Sequence, residues 1–186
     1  MNRAPVDGWL IRDAIPDADA RACLDIYAPF VRDTSVSFEV DVPSLEEFRD
    51  RIRATIARYP WLVLEVDGQV VGYAYGSQHR SRASYRWAVD VTVYVDPGHR
   101  GIGAGRRLYE ALLERLRRQG FQVACAGIAL PNDASVGLHR AMGFEPVGIY
   151  RRIGWKAGAW HDVGWWQLEL APATGAAPAE PTAPGD

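Results

Sequence analysis

The segment Val93-Tyr94-Val95-Asp96-Pro97-Gly98-His99-Arg100-Gly101-Ile102-Gly103-Ala104-Gly105 runs from an apolar strand, through a turn, into a long amphipathic helix. It carries one arginine followed by three glycines at alternate positions. Glycine lets backbone N–H groups approach a ligand with no side chain in the way. The first turn of the following helix adds unpaired N–H groups and the positive end of the helix dipole, and both suit phosphate. The segment therefore predicts a cradle for a pyrophosphate rather than a flexible connection.

Two common nucleotide-binding loops do not fit this segment. A P-loop needs a lysine and then a serine or threonine, whereas Arg106 and Arg107 follow Gly105. A dinucleotide-binding loop needs a further glycine at position 106 and an acid about twenty residues later. Position 106 is arginine, and the next strand, residues 121–128, contains no acid. Both classes are therefore excluded.

The order of residues in the segment resembles a third kind of loop. Val-x-Val-x-Pro followed by Arg-x-x-Gly-x-Gly is similar to the acetyl-CoA loop of the GCN5-related N-acetyltransferases. The resemblance implies an α/β fold with a central mixed sheet of about seven strands, flanked by helices. It also implies that strands 4 and 5 splay apart, that acetyl-CoA enters the gap between them as co-substrate, and that no metal takes part. The loop residues that would hold the cofactor are Arg100, Gly101, Ile102, Gly103, Ala104, Gly105 and Arg106.

Composition narrows the class of protein further. The chain has 186 residues and a net charge of −2, so it is long enough for one domain and shows no nucleic-acid footprint. No apolar run approaches the roughly 20 residues of a membrane span. Residues 1–7 lack the apolar core of a signal peptide. Cys23 and Cys125 lie apart in apolar segments, which favours buried free thiols over a disulfide or an acyl carrier. These features predict a cytosolic protein with no membrane or nucleic-acid partner.

Hydrophobic spacing predicts a mixed succession of strands and helices. The predicted strands are 9–14, 61–66, 69–77, 87–95, 123–130, 147–155 and 163–170. The predicted helices are 16–31, one opened by a capping box at Ser44 and Glu47, 103–119 and 133–142. We expect one domain over residues 1–171. Residues 172–186 are only Ala, Pro, Gly, Thr, Glu and Asp, which predicts a disordered tail.

Asp90 is the candidate general base. Apolar side chains at the odd positions of 87–95 alternate with Asp90, Thr92 and Tyr94 on the other face. Aspartate is disfavoured in strands and a buried carboxylate is costly, so a strand that keeps Asp90 just before the glycine loop has a use for it. A carboxylate could take the proton of an ammonium, directly or through a water, before the nitrogen attacks a thioester. An acid at a strand edge in water, or one paired with Arg82, is the alternative.

His139 is the second catalytic candidate. Its spacing from Ser135, Leu138 and Met142 on the predicted helix indicates an inward face, where a structural histidine is the alternative to a catalytic one. Its position after a strand next to the cofactor loop favours a role in protonating the leaving thiolate. Asn132 and Ser135, on the same loop and helix, are candidates for contacts with the cofactor.

The backbone and charged groups of the central segment add further candidates. The N–H groups of Val93, Tyr94 and Val95 could bind the pantetheine amide, and one of them could polarise the thioester carbonyl. Arg100 and Arg106 would add positive charge near phosphate. A solvated surface position is the alternative for each arginine.

Residues 79–87 form a basic stretch with interleaved aromatic side chains, just before the fourth strand. A nucleic-acid surface is a weak interpretation for one short stretch in a slightly acidic protein. The guanidinium of Arg82 better suits the carboxylate or phosphinate of a small substrate. Phe38 could form an apolar wall opposite, with an ordinary core position as the alternative.

The whole chain from about residue 9 to 170 resembles one branch of that superfamily, the phosphinothricin N-acetyltransferases. The residues that carry this resemblance are Thr34–Phe38, Arg58–Val63, Ser84–Trp87, Thr92–Val95, Leu130–Val136, His139 and Trp160–Gln167. The branch acetylates the α-amine of phosphinothricin or of analogues such as methionine sulfoximine and methionine sulfone. The resemblance implies acceptor contacts at Phe38, Arg82, Tyr85 and the segment from Asp90 to Thr92. It also implies acetyl-CoA contacts at Val93–Val95, Gly101–Arg106 and Asn132, and a homodimer.

One residue departs from the branch. Its usual residue at position 90 is glutamate, and this chain has Asp90, which is shorter by one methylene or about 1.5 Å of bond length. A water that bridges Asp90 and the amine becomes easier to fit. The identity of the acceptor is therefore not fixed by the resemblance. An N-acetyltransferase for a polyamine, an aminoglycoside or a protein N-terminus is one alternative. A sensor that binds acyl-CoA without turnover is another.

Overall fold

A computed structural model describes residues 8–173 and 175–185 as a seven-stranded mixed sheet with four α-helices. The strands are β1 (Trp9–Asp13), β2 (Trp61–Val66), β3 (Gln69–Gln78), β4 (Ala88–Val95), β5 (Val123–Leu130), β6 (Glu145–Lys156) and β7 (Ala159–Glu169). The helices are α1 (Pro16–Asp33), α2 (Leu45–Ile56), α3 (Ala104–Arg118) and α4 (Asp133–Ala141). The predicted fold class is confirmed. Residues 1–7, on which the signal-peptide prediction rests, lie outside the described residues, as do residues 174 and 186 of the predicted tail.

The strand order β1-β2-β3-β4-β5-β7-β6 contains one parallel pair, β4 with β5. That pairing joins Ala88, Val89 and Asp90 to Val123, Ala124 and Cys125, and it ends there although both strands continue. On its other side β4 stays paired with β3 as far as Val95. The sheet therefore forks after Asp90, as the resemblance implies, and a cleft opens between β4 and β5.

Two hydrophobic cores lie on the two faces of the sheet. Val89 and Val91 are buried on the face covered by α3, in the core that holds Leu108 and Leu112. Tyr94 packs on the opposite core, which α1 and α2 cover. The predicted alternation along β4 is confirmed, so Asp90 points away from α3.

The ends of the predicted elements are mostly within two residues of the observed ones. The capping box that opens α2 is present, because the Glu47 N–H donates to Ser44 Oγ at 3.2 Å and the Ser44 N–H donates to Glu47 Oε2 at 2.7 Å. The largest error is at β7, which begins at Ala159 rather than Val163. None of the helices in the described part of the chain is long and apolar enough to cross a membrane.

The C-terminal segment differs from the expectation of a tail that does not pack. It contains no helix or strand within residues 171–173 and 175–185, yet it lies against the domain. Trp87 Nε1 donates to the Ala179 carbonyl at 2.8 Å, and Arg86 pairs with Glu180. The Thr182 backbone exchanges two hydrogen bonds with Gln119. Backbone groups and charges make these contacts. The prediction of a disordered tail rested on the lack of large apolar side chains, and such contacts do not need them.

Candidate active site

The cleft between β4 and β5 begins where their pairing ends. Its walls come from both diverging strands, from the first turns of α4 and from the loop after α1. The lining residues are Val36, Val91, Thr92, Val93, Tyr94, Tyr109, Ala126, Gly127, Ile128, Ala129, Asn132, Ser135 and His139. One cavity thus brings together six of the predicted site residues. They are the pantetheine contacts Val93 and Tyr94, and also Thr92, Asn132, Ser135 and His139.

The glycine loop lies between the end of β4 and the start of α3. Gly101 and Gly103 have φ of 76° and 96°, a left-handed conformation that glycine adopts without strain. Gly103 is also the N-cap of α3 and has no side chain that could cap the helix. A Cβ at Gly105 would lie 3.3 Å from Leu138 Cδ2, so this glycine lets α3 approach α4 closely. The first N–H groups of α3 are therefore left for a ligand, which suits a phosphate.

The two arginines of the loop differ in their contacts. The Arg100 guanidinium lies 5.3 Å from the centroid of the Phe30 ring on α1, within the range of a cation–π contact. Arg106 Nε donates to Glu110 Oε1 at 2.9 Å, one turn further along α3. This surface pair partly neutralises Arg106. A contact of either arginine with phosphate stays a prediction.

Asp90 lies at the fork and contacts a histidine that is not among the predicted site residues. His79 Nδ1 is 2.7 Å from Asp90 Oδ1, and the two side chains retain 15% and 25% of their exposure. Burial raises the pKa of Asp90, and the hydrogen bond and charge of His79 oppose that rise. The register of β3 with β4 pairs Ser77 with Asp90, which places His79, two residues later, on the same face. That hairpin register is the sequence signal for the contact.

Aromatic and charged side chains surround the pair of Asp90 and His79. The rings of Tyr85 and Trp165 each lie 6.0 Å from the His79 ring in edge-on contact. The Arg80 guanidinium lies 5.6 Å from the Trp165 ring centroid. Cys125 is the β5 neighbour of Asp90, and burial raises its pKa to about 11, so it stays a thiol at neutral pH. Trp165 packs over Gly127, where a Cβ would lie 3.3 Å from its ring.

His139 lies on the other wall of the cleft and is 3% exposed. Its Nδ1 is 2.8 Å from the Ser135 carbonyl, and its Nε2 is 3.0 Å from the Tyr109 hydroxyl. A carbonyl only accepts, so Nδ1 carries the proton and Nε2 accepts from Tyr109. Burial lowers the pKa of His139, which keeps the ring neutral at pH 7. Both ring nitrogens are therefore in use, and the proton of the neutral ring points into α4.

The predicted acceptor residues are only partly brought together. Tyr85 contacts His79, and Thr92 lines the cleft. Phe38 is 38% exposed and packs over Gly154 of β6, where a Cβ would overlap its ring. Lys156 fixes the loop that carries Phe38, because its Nζ donates to the carbonyls of Val31 and Ser37 at 2.7 and 2.6 Å.

Arg82 is the predicted acceptor residue with the least support. It is exposed at the start of the short 3-10 turn Ala83–Tyr85, and its guanidinium makes no ion pair within the described part of the chain. Arg80, which is not among the predicted residues, is the arginine whose charge acts on Asp90. Arg80 also contacts the Trp165 ring, so it is a second candidate guanidinium for the carboxylate or phosphinate of an acceptor, and a contact of Arg82 with the acceptor stays a prediction.

The parallel strand pair forks at a carboxylate, and the same strand ends at a glycine loop and a helix N-terminus. This arrangement defines a transferase cleft for a nucleotide-linked acyl group. The acetyltransferase (GNAT) domain family matches residues 13–165, and the chain belongs to this family. The predicted family is thereby confirmed, and the chain is an N-acetyltransferase.

Three similar proteins show how far the likeness extends. The phosphinothricin N-acetyltransferase of Streptomyces viridochromogenes is 42% identical over 168 residues, which cover 90% of each chain. The L-methionine sulfoximine/L-methionine sulfone acetyltransferase of Pseudomonas aeruginosa is 40% identical and covers 89% of this chain and 97% of its own. A phosphinothricin acetyltransferase from Sinorhizobium meliloti, solved in complex with AcCoA, superposes with a TM-score of 0.88 at 35% identity, covering 93% of this chain and 94% of that one.

Proposed function

We propose that this enzyme transfers the acetyl group of acetyl-CoA to the α-amine of a small amino-acid-like acceptor, such as phosphinothricin, methionine sulfoximine or methionine sulfone. One observation carries the proposal: the sheet forks at Asp90, and the same strand leads five residues later to Val95 and then to the glycine loop. A thioester that is anchored at the loop and lies along β4 would present its carbonyl near the fork. The relatives named for these acceptors support the choice of substrate.

The cofactor would lie along the cleft from the loop to the fork. The pyrophosphate would contact the backbone of residues 101–106 at the start of α3, and the pantetheine would pair with the open edge of β4 at Val93–Val95. Asn132 and Ser135 would border it on the α4 side. The Asn132 side chain already caps α4, since its Oδ1 accepts from the Ser135 N–H at 3.1 Å, and this leaves the amide nitrogen for the cofactor.

The acceptor would enter from the side of the fork that Tyr85, Trp165 and Arg80 border. A guanidinium binds a carboxylate or phosphinate through two parallel N–H bonds and repels a polycation. The Arg80 guanidinium rests on the Trp165 ring, which restricts its motion. Phe38 forms an apolar wall that Gly154 and Lys156 hold in place. This set suits an amino-acid analogue with a carboxylate or phosphinate better than a polyamine or an aminoglycoside.

The reaction would be a direct transfer within a ternary complex. The acceptor arrives as an ammonium and loses one proton to the base at the fork, and its nitrogen then attacks the thioester carbon. A backbone N–H of β4 stabilises the oxyanion that forms on the carbonyl oxygen. The C–S bond breaks, the sulfur leaves with the electron pair, and this thiolate takes up the second proton that the nitrogen loses as the amide forms. The Tyr109 hydroxyl, which burial keeps protonated by raising its pKa, turns from His139 towards the leaving sulfur. His139 thus assists the thiolate indirectly, because it holds the Tyr109 hydroxyl at the cleft until the sulfur leaves.

A thiol-release assay with acetyl-CoA tests the proposal. The panel contains phosphinothricin, methionine sulfoximine, methionine sulfone, spermidine, kanamycin and an alanyl peptide. We expect release of CoA with the three amino-acid analogues and little with the two polycations. Acetylation of the polycations or the peptide alone would overturn the choice of acceptor. Binding of acetyl-CoA with no turnover on any amine would support the sensor alternative.

A cytosolic location and a homodimer are further proposals. The outer strands β6 and β7 carry large exposed apolar side chains at Val147, Ile149, Tyr150, Ile153, Trp155 and Trp160. Apolar patches of this kind mark interfaces, and β6 is an edge of the sheet. Light scattering should give the mass of a dimer for the wild type and of a monomer for Ile153→Glu. The control Leu10→Glu, on the opposite edge strand β1, should stay dimeric. A monomeric wild type would refute the dimer.

A further inference from the structure

We propose that His79, oriented by Asp90, is the group that accepts the proton of the acceptor amine. Asp90 is then a positioning residue and not the base itself. The inference rests on the proposed function, because it assigns a step of that reaction to a residue that the family resemblance did not single out.

The contact between the two side chains fixes the state of the imidazole. An ionised carboxylate only accepts hydrogen bonds, so His79 Nδ1 carries a proton and donates it to Asp90 Oδ1 over 2.7 Å. The Nε2 of the neutral ring then has a lone pair. No group in the described ranges of the chain lies within hydrogen-bonding distance of Nε2, and this atom is not buried. His79 therefore offers an available basic nitrogen beside the fork.

The length of residue 90 explains why a histidine is used here. The resemblance implies glutamate at this position, and Asp90 is shorter by about 1.5 Å of bond length. The His79 ring contacts the Asp90 carboxylate and fills part of the distance that the longer side chain of glutamate would span. Tyr85 and Trp165 hold that ring from two further sides. The proton acceptor thus moves from the carboxylate to the imidazole, and the carboxylate remains behind it.

The proton balance of the step is simple. The ammonium gives one proton to Nε2, its nitrogen keeps the electron pair that attacks the thioester carbon, and the imidazolium that forms is stabilised by the Asp90 carboxylate. Water removes the proton after the acetylated product leaves. An imidazole is a better base than a carboxylate near neutral pH, because model imidazoles titrate about two units above model carboxylates.

Other titratable groups also face the pair. They are Arg80 on the loop after β3, Tyr85 on the 3-10 turn, Cys125 on β5 and Tyr59 before β2. Burial raises the pKa of Cys125 to about 11 and raises that of Tyr59, and an arginine stays charged throughout. None of these neighbouring groups therefore exchanges a proton near neutral pH in place of the pair.

The test compares wild type, His79→Gln, Asp90→Glu and the double variant His79→Gln/Asp90→Glu. In His79→Gln, kcat for the best acceptor should fall by about 10²-fold or more, since a positioned base contributes that much. The acid limb of kcat/KM should move to lower pH, because only a carboxylate remains. The Kd of acetyl-CoA should not change, which shows that the variant is folded. The double variant should recover part of the lost kcat, because glutamate reaches the amine directly.

Three outcomes separate this inference from its alternatives. If wild type acetylates the acceptor and His79→Gln keeps its kcat and pH profile, the inference is wrong and the proposed function stands. If no acceptor is acetylated by wild type, the proposed function itself fails. His79, Asp90 and Cys125 also offer nitrogen, oxygen and sulfur within 4.8 Å of one another, a donor set that zinc accepts. Loss of wild-type activity in excess EDTA, regained with zinc, would overturn the inference in favour of a metal centre.

Discussion

The two histidines beside the cleft differ in how many ring nitrogens they use. His79, at the fork, uses Nδ1 to contact Asp90 and leaves Nε2 available. His139, on α4, donates through Nδ1 to the Ser135 carbonyl and accepts through Nε2 from Tyr109. His79 has a carboxylate behind it, which stabilises an imidazolium. His139 has a carbonyl and a phenol, and burial lowers its pKa.

This difference separates a group that can exchange protons from one that holds the Tyr109 hydroxyl in place. A base needs a free lone pair and a partner that stabilises the charge it gains, and His79 has both. A buried neutral ring with two satisfied nitrogens has no proton for a ligand unless a hydrogen bond breaks. Loss of Asp90, the partner of His79, and loss of Tyr109, the partner of His139, should therefore have different effects on the enzyme.

Loss of the partner of His79 should have the largest effect on catalysis. We expect Asp90→Asn to lower kcat by about 10²–10⁴-fold, because the neutral amide does not stabilise an imidazolium and its NH2 group can donate to Nδ1, which favours the wrong tautomer. The measurement is thiol release at saturating acetyl-CoA and acceptor. Binding of acetyl-CoA, followed by calorimetry, should be unchanged, since the cofactor contacts lie on the glycine loop and along β4. An unchanged kcat would show that Asp90 and His79 take no part in the reaction.

Loss of the partner of His139 should mainly reduce stability. We expect Tyr109→Phe to lower the free energy of unfolding by about 1–3 kcal/mol, because it leaves the buried Nε2 of His139 without its donor. Its kcat should fall less than that of Asp90→Asn. Urea unfolding gives the stability.

Tyr59→Phe serves as the matched control for that variant. The Tyr59 ring stacks on Phe121, and its hydroxyl makes no hydrogen bond to the described residues. This variant should keep the stability of the wild type. A kcat loss in Tyr109→Phe as large as that of Asp90→Asn would show that the two ends of the cleft do not differ as described.

The same two histidines show what the sequence predicts well and what it does not. His139 was predictable, because its inward face follows from helical spacing within nine residues of α4. The contact of His79 with Asp90 depends on the register of β3 with β4, and its position beside the fork depends on where the pairing of β4 with β5 ends. The alternation of side chains within one strand predicts neither the strand register nor the fork. The action of the Arg80 charge on Asp90 depends on the path of a loop and was equally out of reach.

Elements that a continuous apolar run defines were predicted most accurately. The limits of β5, Val123–Leu130, agree with the prediction, since the strand is central and largely buried. The start of β7 was missed because Ala159, Trp160 and His161 lie on an outer hairpin, where exposed aromatic and polar residues do not alternate with burial. The docked C-terminal segment was missed because its contacts run through backbone carbonyls, which any sequence supplies.

The smallest expected effect concerns the pH dependence of stability, and it isolates His139. Burial lowers the pKa of the folded ring below that of the unfolded chain, while the hydrogen bond to Ser135 opposes the shift. Well above about pH 6.5, where a model imidazole titrates, the ring is neutral in both states, so it adds no pH dependence. As pH falls below this value, the unfolded chain takes up a proton that the folded one does not, and stability decreases by less than about 1.4 kcal/mol per pH unit.

Urea unfolding of wild type and His139→Gln between pH 5.5 and about 7.5 measures this contribution, because it spans the titration of a model imidazole. We expect the wild type to lose stability towards the acid end and the variant to lose less over the same range. Carboxylates that titrate lower, such as Asp19 in its ion pair with Arg12, contribute equally to both proteins and cancel in the difference. Equal slopes would mean that His139 takes up its proton as readily in the folded protein as in the unfolded chain. In that case His139 is a second exchangeable imidazole in the cleft, and it regains its place as a direct proton donor to the leaving thiolate.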